Sequence, residues 1–282
     1  MFRPLALSVF LALAPVAALA QTATTATTTA AAPADSLPLT VPSQIMGKTR
    51  ELNVLLPSGY DASGETYPVI YLLDGGVQQD WPTYSARIRA AMDGGQLRPA
   101  ILVGIATEDR QNELTERASD RRIIRQWPNH GQSERFRRFI SDEVKPLIQE
   151  RYRTNGDDAV LGESAAALFI VETFLKQPTL FDRYLAVSPS LWWDREALSK
   201  NASTLLAAHP EGERQLLLTI ADEGGQMQSG MDRLVAALRN NPPKGLAWDY
   251  EPRHSETHST VFAATALDFL GRAYSVQEPV SP

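Results

Sequence analysis

The sequence predicts a single α/β domain, with a mostly parallel central sheet and helices on both faces. Three observations carry that expectation. Short, unbroken apolar runs such as Tyr67–Leu73, Pro99–Ala106 and Tyr184–Val187 alternate with stretches of helical spacing, the pattern of strands buried on both sides by crossover helices. A Gly-x-Ser turn, Gly162-Glu163-Ser164, sits between one such run and an apolar helix-like stretch. Finally, a chain of 282 residues with 43% hydrophobic and 21% charged residues is long enough and apolar enough for one sizeable core.

The N-terminus has its own plan. Arg3 is followed by an apolar run from Leu5 to Leu19, broken by Pro15, and Ala18-Leu19-Ala20 precedes Gln21. This reads as a cleavable secretory signal over residues 1–20, so the product is expected to be secreted or periplasmic, with no stable membrane insertion after cleavage. A membrane anchor, needing roughly 20 uninterrupted apolar residues, fits less well. Residues 21–36 collapse to Thr, Ala and Pro and read as a disordered linker, which leaves residues 37–282 as the domain. There is no cysteine, which removes disulfides, thiolate metal sites and a cysteine nucleophile. A formal net charge of −6 argues against nucleic acid as a partner.

Within the domain, Arg50–Pro57 alternates as an edge strand would, and Pro57-Ser58-Gly59-Tyr60 turns the chain. Tyr67–Leu73 reads as a central strand stopped at Asp74-Gly75-Gly76. Trp81–Met92 has helical character, and Pro99–Ala106 is a second buried strand. The charged stretch from Thr107 to His130 reads as a surface segment over the site. Its Arg117, Arg121, Arg122 and Arg125 form a basic run, most simply solvated. Ser133–Arg151 has helical spacing and leads into the strand ending at Glu163. A helix then runs to Lys176, followed by a strand at Tyr184–Val187, another at Gln215–Ala221, a helix from about Met227 to Asn240, a short strand at Leu246–Tyr250, and a last helix to about Tyr274.

The chemistry centres on Ser164. A serine on a sharp strand-to-helix turn is a nucleophile elbow, which exposes its Oγ beside backbone N–H groups able to hold an oxyanion; the bland alternative is an ordinary helix N-cap. Ala166 stands where the G-x-S-x-G pattern has its second glycine. A serine nucleophile needs a base, and His258, after the last strand, is where the order Ser, acid, His requires it. His254 is the decoy, and His254, Glu256 and His258 lack the H-E-x-x-H spacing of a zinc site. His130 and His209 read as surface residues. The acid is expected after the Gln215–Ala221 strand, at Asp222 or Glu223. Ala165 is the expected first oxyanion donor, and the Gly75-Gly76 loop the second. Trp192 and Trp193 are candidates for a substrate-pocket wall, although core packing would use them equally well.

Leu73-Asp74-Gly75-Gly76, Gly162-Glu163-Ser164, Ser188-Pro189-Ser190-Leu191-Trp192-Trp193-Asp194 and Ser255-Glu256-Thr257-His258 together resemble the "putative esterase" group of α/β-hydrolases. That group includes esterase D, the enterochelin and related siderophore esterases and feruloyl-esterase-like enzymes. The resemblance covers about Leu37 to Leu270 and implies the α/β-hydrolase fold. It further implies hydrolysis of a small-molecule carboxylic ester by a Ser-His-acid apparatus, with no metal or organic cofactor. Ser164 matches the nucleophile and His258 the base, and Glu223 matches the acid slightly better than Asp222. Acyl transfer to an alcohol, or a fold that kept binding and lost catalysis, are the other readings.

Overall fold

The computed structural model describes residue 33 and residues 35–274. The expected signal segment, and the low-complexity stretch apart from Pro33, Asp35 and Ser36, lie outside the described residues. Eight strands are present among them: β1 (Leu37–Ser43), β2 (Lys48–Leu55), β3 (Tyr67–Leu73), β4 (Ile101–Ile105), β5 (Thr154–Glu163), β6 (Arg183–Val187), β7 (Arg214–Thr219) and β8 (Leu246–Tyr250). They form one sheet in the order β1-β2-β4-β3-β5-β6-β7-β8. From β4 to β8 every neighbouring pair is parallel, whereas β1–β2 and β2–β4 are antiparallel. The chain order reverses between β3 and β5, and ligands of open α/β sheets bind outside the carboxyl ends of the strands at such a reversal.

The helices are α1 (Tyr60–Ser63), α2 (Trp81–Asp93), α3 (Arg110–Leu114), α4 (Arg121–Gln126), α5 (Ser133–Phe139), α6 (Lys145–Arg151), α7 (Ala165–Lys176), α8 (Trp193–Ala207), α9 (Gly225–Asn240) and α10 (Val261–Ala273). Strand residues alternate between two cores, because successive side chains leave a strand on opposite faces. Tyr71, Val103, Val160, Tyr184 and Leu216 pack with the helices from α5 to α9. Ile70, Leu102, Leu161, Leu185 and Leu217 pack with α2 and α10. The α/β sandwich expected from the sequence is therefore the fold observed. Among the described residues no helix is long and apolar enough to cross a membrane.

Three local expectations change. The strand at Arg50 is not an edge: β2 pairs on both sides, and the edge is β1, whose Pro38 and Pro42 hid it. Prolines are tolerated at an edge because the position of the missing N–H can face the unpaired side of the strand. Between α5 and α6 the expected helix contains a π turn, Ile140–Val144. It precedes Pro146, which has no N–H for a regular bond to the Asp142 carbonyl and whose ring crowds it. The third change is the largest. The charged segment from Thr107 to His130 is not simply surface, since Glu113, Leu114, Asp120, Ile123 and His130 are buried. Glu113 forms a bidentate pair with the fully buried Arg50 of β2, at 2.8 and 3.0 Å, and Arg50 also donates to Ala106 O at 2.7 Å. That anchors α3 beside Ala106, just past the carboxyl end of β4.

The crossing of β5 and α7 is closely fitted. A Cβ on Gly162 would lie 2.7 Å from the Cβ of Ala166 and 3.3 Å from Ile170 Cδ1. The missing second glycine of the motif is accommodated because residue 162 carries no side chain. Gly162→Ala is expected to destabilise the protein by about 1–3 kcal/mol through overpacking, measured as a lower urea midpoint with unchanged m-value; an unchanged midpoint would show that α7 retreats at no cost.

Candidate active site

Strand register brings the functional side chains together. Glu163 of β5 is level with Val187 of β6, and Val187 with Thr219 of β7. The residues that follow, Ser164, Ser188 and the Ala221–Glu223 turn, therefore emerge side by side.

Ser164 has φ 61° and ψ −117°, a conformation costing a non-glycine residue about 1–3 kcal/mol. It is held there by its N–H to Val187 O at 3.0 Å and by its carbonyl, which accepts from Leu168 N and Ser190 N at 2.9 and 3.1 Å. Its Oγ lies 3.0 Å from His258 Nε2 and 3.2 Å from Ser190 Oγ.

The other imidazole nitrogen, Nδ1, bonds to Glu223 Oε1. A carboxylate only accepts, so Nδ1 carries the proton and Nε2 is left to accept from the serine hydroxyl. Ser188, also at positive φ (49°), donates from Oγ to the same Glu223 oxygen at 2.6 Å. The bond His258 donates to Glu223 is the main cause raising the His258 pKa above its ordinary 6.5, against the opposing pull of burial. Behind the serine, burial pushes the Glu163 carboxyl up to about 7 and that of Asp80 up to about 6.

Of the two candidate acids, Glu223 meets the imidazole. Asp222 is exposed, and its backbone N–H is given to Glu256 O. His254 is exposed and does not line the cavity at Ser164. His130 is not a surface residue: it is buried, Nε2 accepting from Ala118 N–H and Nδ1 bonding to Trp127 O, at 2.9 and 2.6 Å. His209 is half-buried, its ring 4.7 Å from that of Phe174.

The glycine pair has a different place from the one expected. Gly75 N–H is given to Ile105 O at 2.9 Å and Gly76 N–H to Gln79 Oε1 at 3.1 Å, and neither glycine lines the cavity. Gly75 is needed for packing instead, since a Cβ there would lie 2.4 Å from Gly104 Cα. Ala165, the first residue of α7, does line it, and N–H groups in the first turn of a helix have no intrahelical partner.

The cavity encloses about 370 Å³, within the range of small-molecule sites. Besides Ser164, Ala165, Glu223 and His258, it is lined by Trp127, Trp192, Trp193, Leu168, Met227 and Arg110, among others. Both tryptophans named from the sequence are thus in its wall. The three indoles have centroids 5.7–6.1 Å apart. Sequence reasoning missed Trp127, Arg110, Ser188 and Ser190. The two serines immediately follow a strand beside the elbow, a position that could have marked them. Arg110 donates to Asp74 Oδ2 at 2.8 Å and to Glu163 O at 3.3 Å, so the arginine at the site lies upstream of the basic run Arg117–Arg125. Of that run, Arg122 folds back on Asp120.

Residues 43–264 match the family model described as "Putative esterase". The chain is 29% identical over 169 residues to the ferri-bacillibactin esterase BesA of Bacillus subtilis (strain 168), covering 55% of this chain and 58% of that protein. It is 27% identical over 174 residues to a siderophore enterobactin esterase of Emericella nidulans, covering 53% and 57%. These matches span little more than half the length of either curated relative. Among solved structures, an IroE-like serine hydrolase from Shewanella oneidensis superposes with a TM-score of 0.77 at 27% identity, covering 85% of this chain and 80% of that one. The BES protein from Bacillus cereus follows at TM-score 0.74 and 23% identity. The family match runs over most of the chain, and on that ground the protein, with its α/β-hydrolase fold, belongs to the "Putative esterase" family.

Proposed function

We propose that this protein is an exported serine esterase that cleaves small-molecule carboxylic esters through an acyl-enzyme on Ser164. The observation that carries the reading is the chain of contacts Glu223–His258–Ser164 at the floor of an aromatic-walled cavity. His258 Nε2 takes the Ser164 proton as Oγ attacks the ester carbonyl carbon. The imidazolium, held by Glu223, then gives that proton to the departing alkoxide as the acyl–oxygen bond breaks. Water, activated by the same nitrogen, releases the acid and restores the serine. Ala165 N–H is the first donor to the tetrahedral oxyanion, and Arg110 brings a cation to the same cavity. No step calls for a metal or organic cofactor.

The family relatives named as siderophore esterases favour siderophore-type esters as the substrate class. The signal-like N-terminus favours action outside the cytoplasm, on esters that reach the cell from its surroundings.

Ser164→Ala is expected to lower kcat/KM on p-nitrophenyl acetate by about 10³-fold or more, and the same variant is expected to abolish cleavage of ferric trilactone siderophores. Near-normal turnover in the folded variant would remove Ser164 from the mechanism. The pH dependence has a definite sign. The base is the neutral imidazole, and Glu223 raises its pKa, so kcat/KM is expected to climb with pH along a limb centred above 6.5. Glu223→Gln removes the largest raising cause: the limb moves to lower pH while kcat falls by about 10²-fold or more through loss of the correct tautomer. A limb that stays in place would mean that another group titrates.

A further inference from the structure

The indole wall is mounted on an unusual piece of backbone. Asp194, Arg195 and Glu196 have φ of 44°, 56° and 65° with ψ of 48°, 43° and 30°, so three successive non-glycine residues form a left-handed turn. L-residues disfavour this conformation because Cβ crowds the following carbonyl. A right-handed turn here would simply extend the rest of α8 back to Trp193. Something outside the turn therefore holds it.

Each of the three side chains is tied to a neighbouring element. Asp194 Oδ1 accepts from Ser119 Oγ at 3.0 Å and from Asp120 N–H at 2.8 Å. Arg195 Nε donates to the buried Asp120 at 3.1 Å. Glu196, itself buried, accepts from Ser229 Oγ at 2.9 Å and Arg233 Nε at 2.8 Å. The first two ties reach the segment that carries Thr115 and Trp127; the third reaches α9, which carries Met227. Both are walls of the same cavity. Trp193 Nε1 adds a bond to Glu116 O at 3.0 Å. Asp194, Arg195 and Glu196 do not themselves line the cavity, so they act on it through the residues they hold in its wall, the tryptophans above all.

We propose that this clamped left-handed turn is the specificity-determining device of the site: it seats Trp192 and Trp193 against Trp127 and shapes the cavity for a bulky aromatic acyl group. The proposal rests on the serine-esterase reading for its substrate. Asp194 and Glu196 are positioning residues. Releasing them lets the turn relax toward the right-handed helix that follows, which rotates the indoles away from Trp127 and leaves the Ser164–His258–Glu223 contacts in place.

The test compares p-nitrophenyl benzoate with p-nitrophenyl acetate, which share a leaving group and differ only in the acyl part. Asp194→Ala is expected to raise KM for the benzoate about tenfold while kcat/KM for the acetate, too short to reach the wall, stays within about threefold. Asp194→Asn, which keeps an acceptor oxygen, restores the benzoate KM. Ser119→Ala, which strands no buried charge, gives a smaller rise of about threefold. Equal losses on both esters, or an unchanged benzoate KM, would overturn the proposal.

A readout independent of turnover is benzoate binding, followed by tryptophan fluorescence in a Ser164→Ala background. Its Kd is expected to rise about tenfold on adding Asp194→Ala, and an unchanged Kd would overturn the clamp. Weakened benzoate binding in a protein whose wild type cleaves neither ester would leave the clamp standing and remove the serine-esterase reading alone.

Discussion

The structure turns on one steric fit, the closeness with which α7 crosses the end of β5. Only because Gly162 has no side chain and Ala166 a small one does the chain pass from strand to helix in a single residue. That residue is Ser164, at positive φ. The strain is local and is held by three backbone bonds that also fix the neighbouring strand end. With the serine so placed, parallel register does the rest, since β6 and β7 deliver Ser188 and Glu223 to the adjacent positions. The loop after β8 needs only to lay His258 between Ser164 and Glu223. The Glu223–His258–Ser164 geometry is thus a consequence of sheet register more than of any individual loop.

Much of this was legible in the sequence. The apolar runs of β3, β4 and β6 are buried on both faces, so their composition alone identifies them. Ser164 and His258 stood out because the elbow has a strand before it and a helix after it, and because the chain has only four histidines. Glu223 and Asp222 could not be separated by pattern, since one residue of rotation in a turn decides which carboxylate faces the imidazole. β1 was hidden by Pro38 and Pro42, which an edge strand tolerates and a sequence pattern penalises.

The segment from Thr107 to His130 was misread for a physical reason that applies widely. Charged residues suggest solvent, yet Glu113 is buried because it meets the fully buried Arg50 on a distant strand, and Asp120 because it caps α4 and receives Arg195. Long-range pairing of this kind leaves no periodic trace. The Gly75-Gly76 pair differs in the opposite direction: glycines that look poised to approach a ligand are closed in by protein, Gly75 against Gly104 and Gly76 against Gln79 and Ala106. The two revisions meet at Arg110, which the buried Arg50–Glu113 pair brings beside Asp74 and the carbonyl of Glu163. The cavity accordingly joins a floor of Ser164, His258 and Glu223, set by the sheet, to an aromatic wall and a cation supplied by the segments that follow β4 and β6.

The most direct measurement of the central claim is covalent labelling with a fluorophosphonate, read by intact mass and peptide mapping. A serine activated by His258 and Glu223 is expected to take up one phosphonyl group per chain, on the peptide containing Ser164, with ester hydrolysis lost in proportion. Labelling at another residue, or full hydrolytic activity in protein that remains unlabelled, would contradict the account.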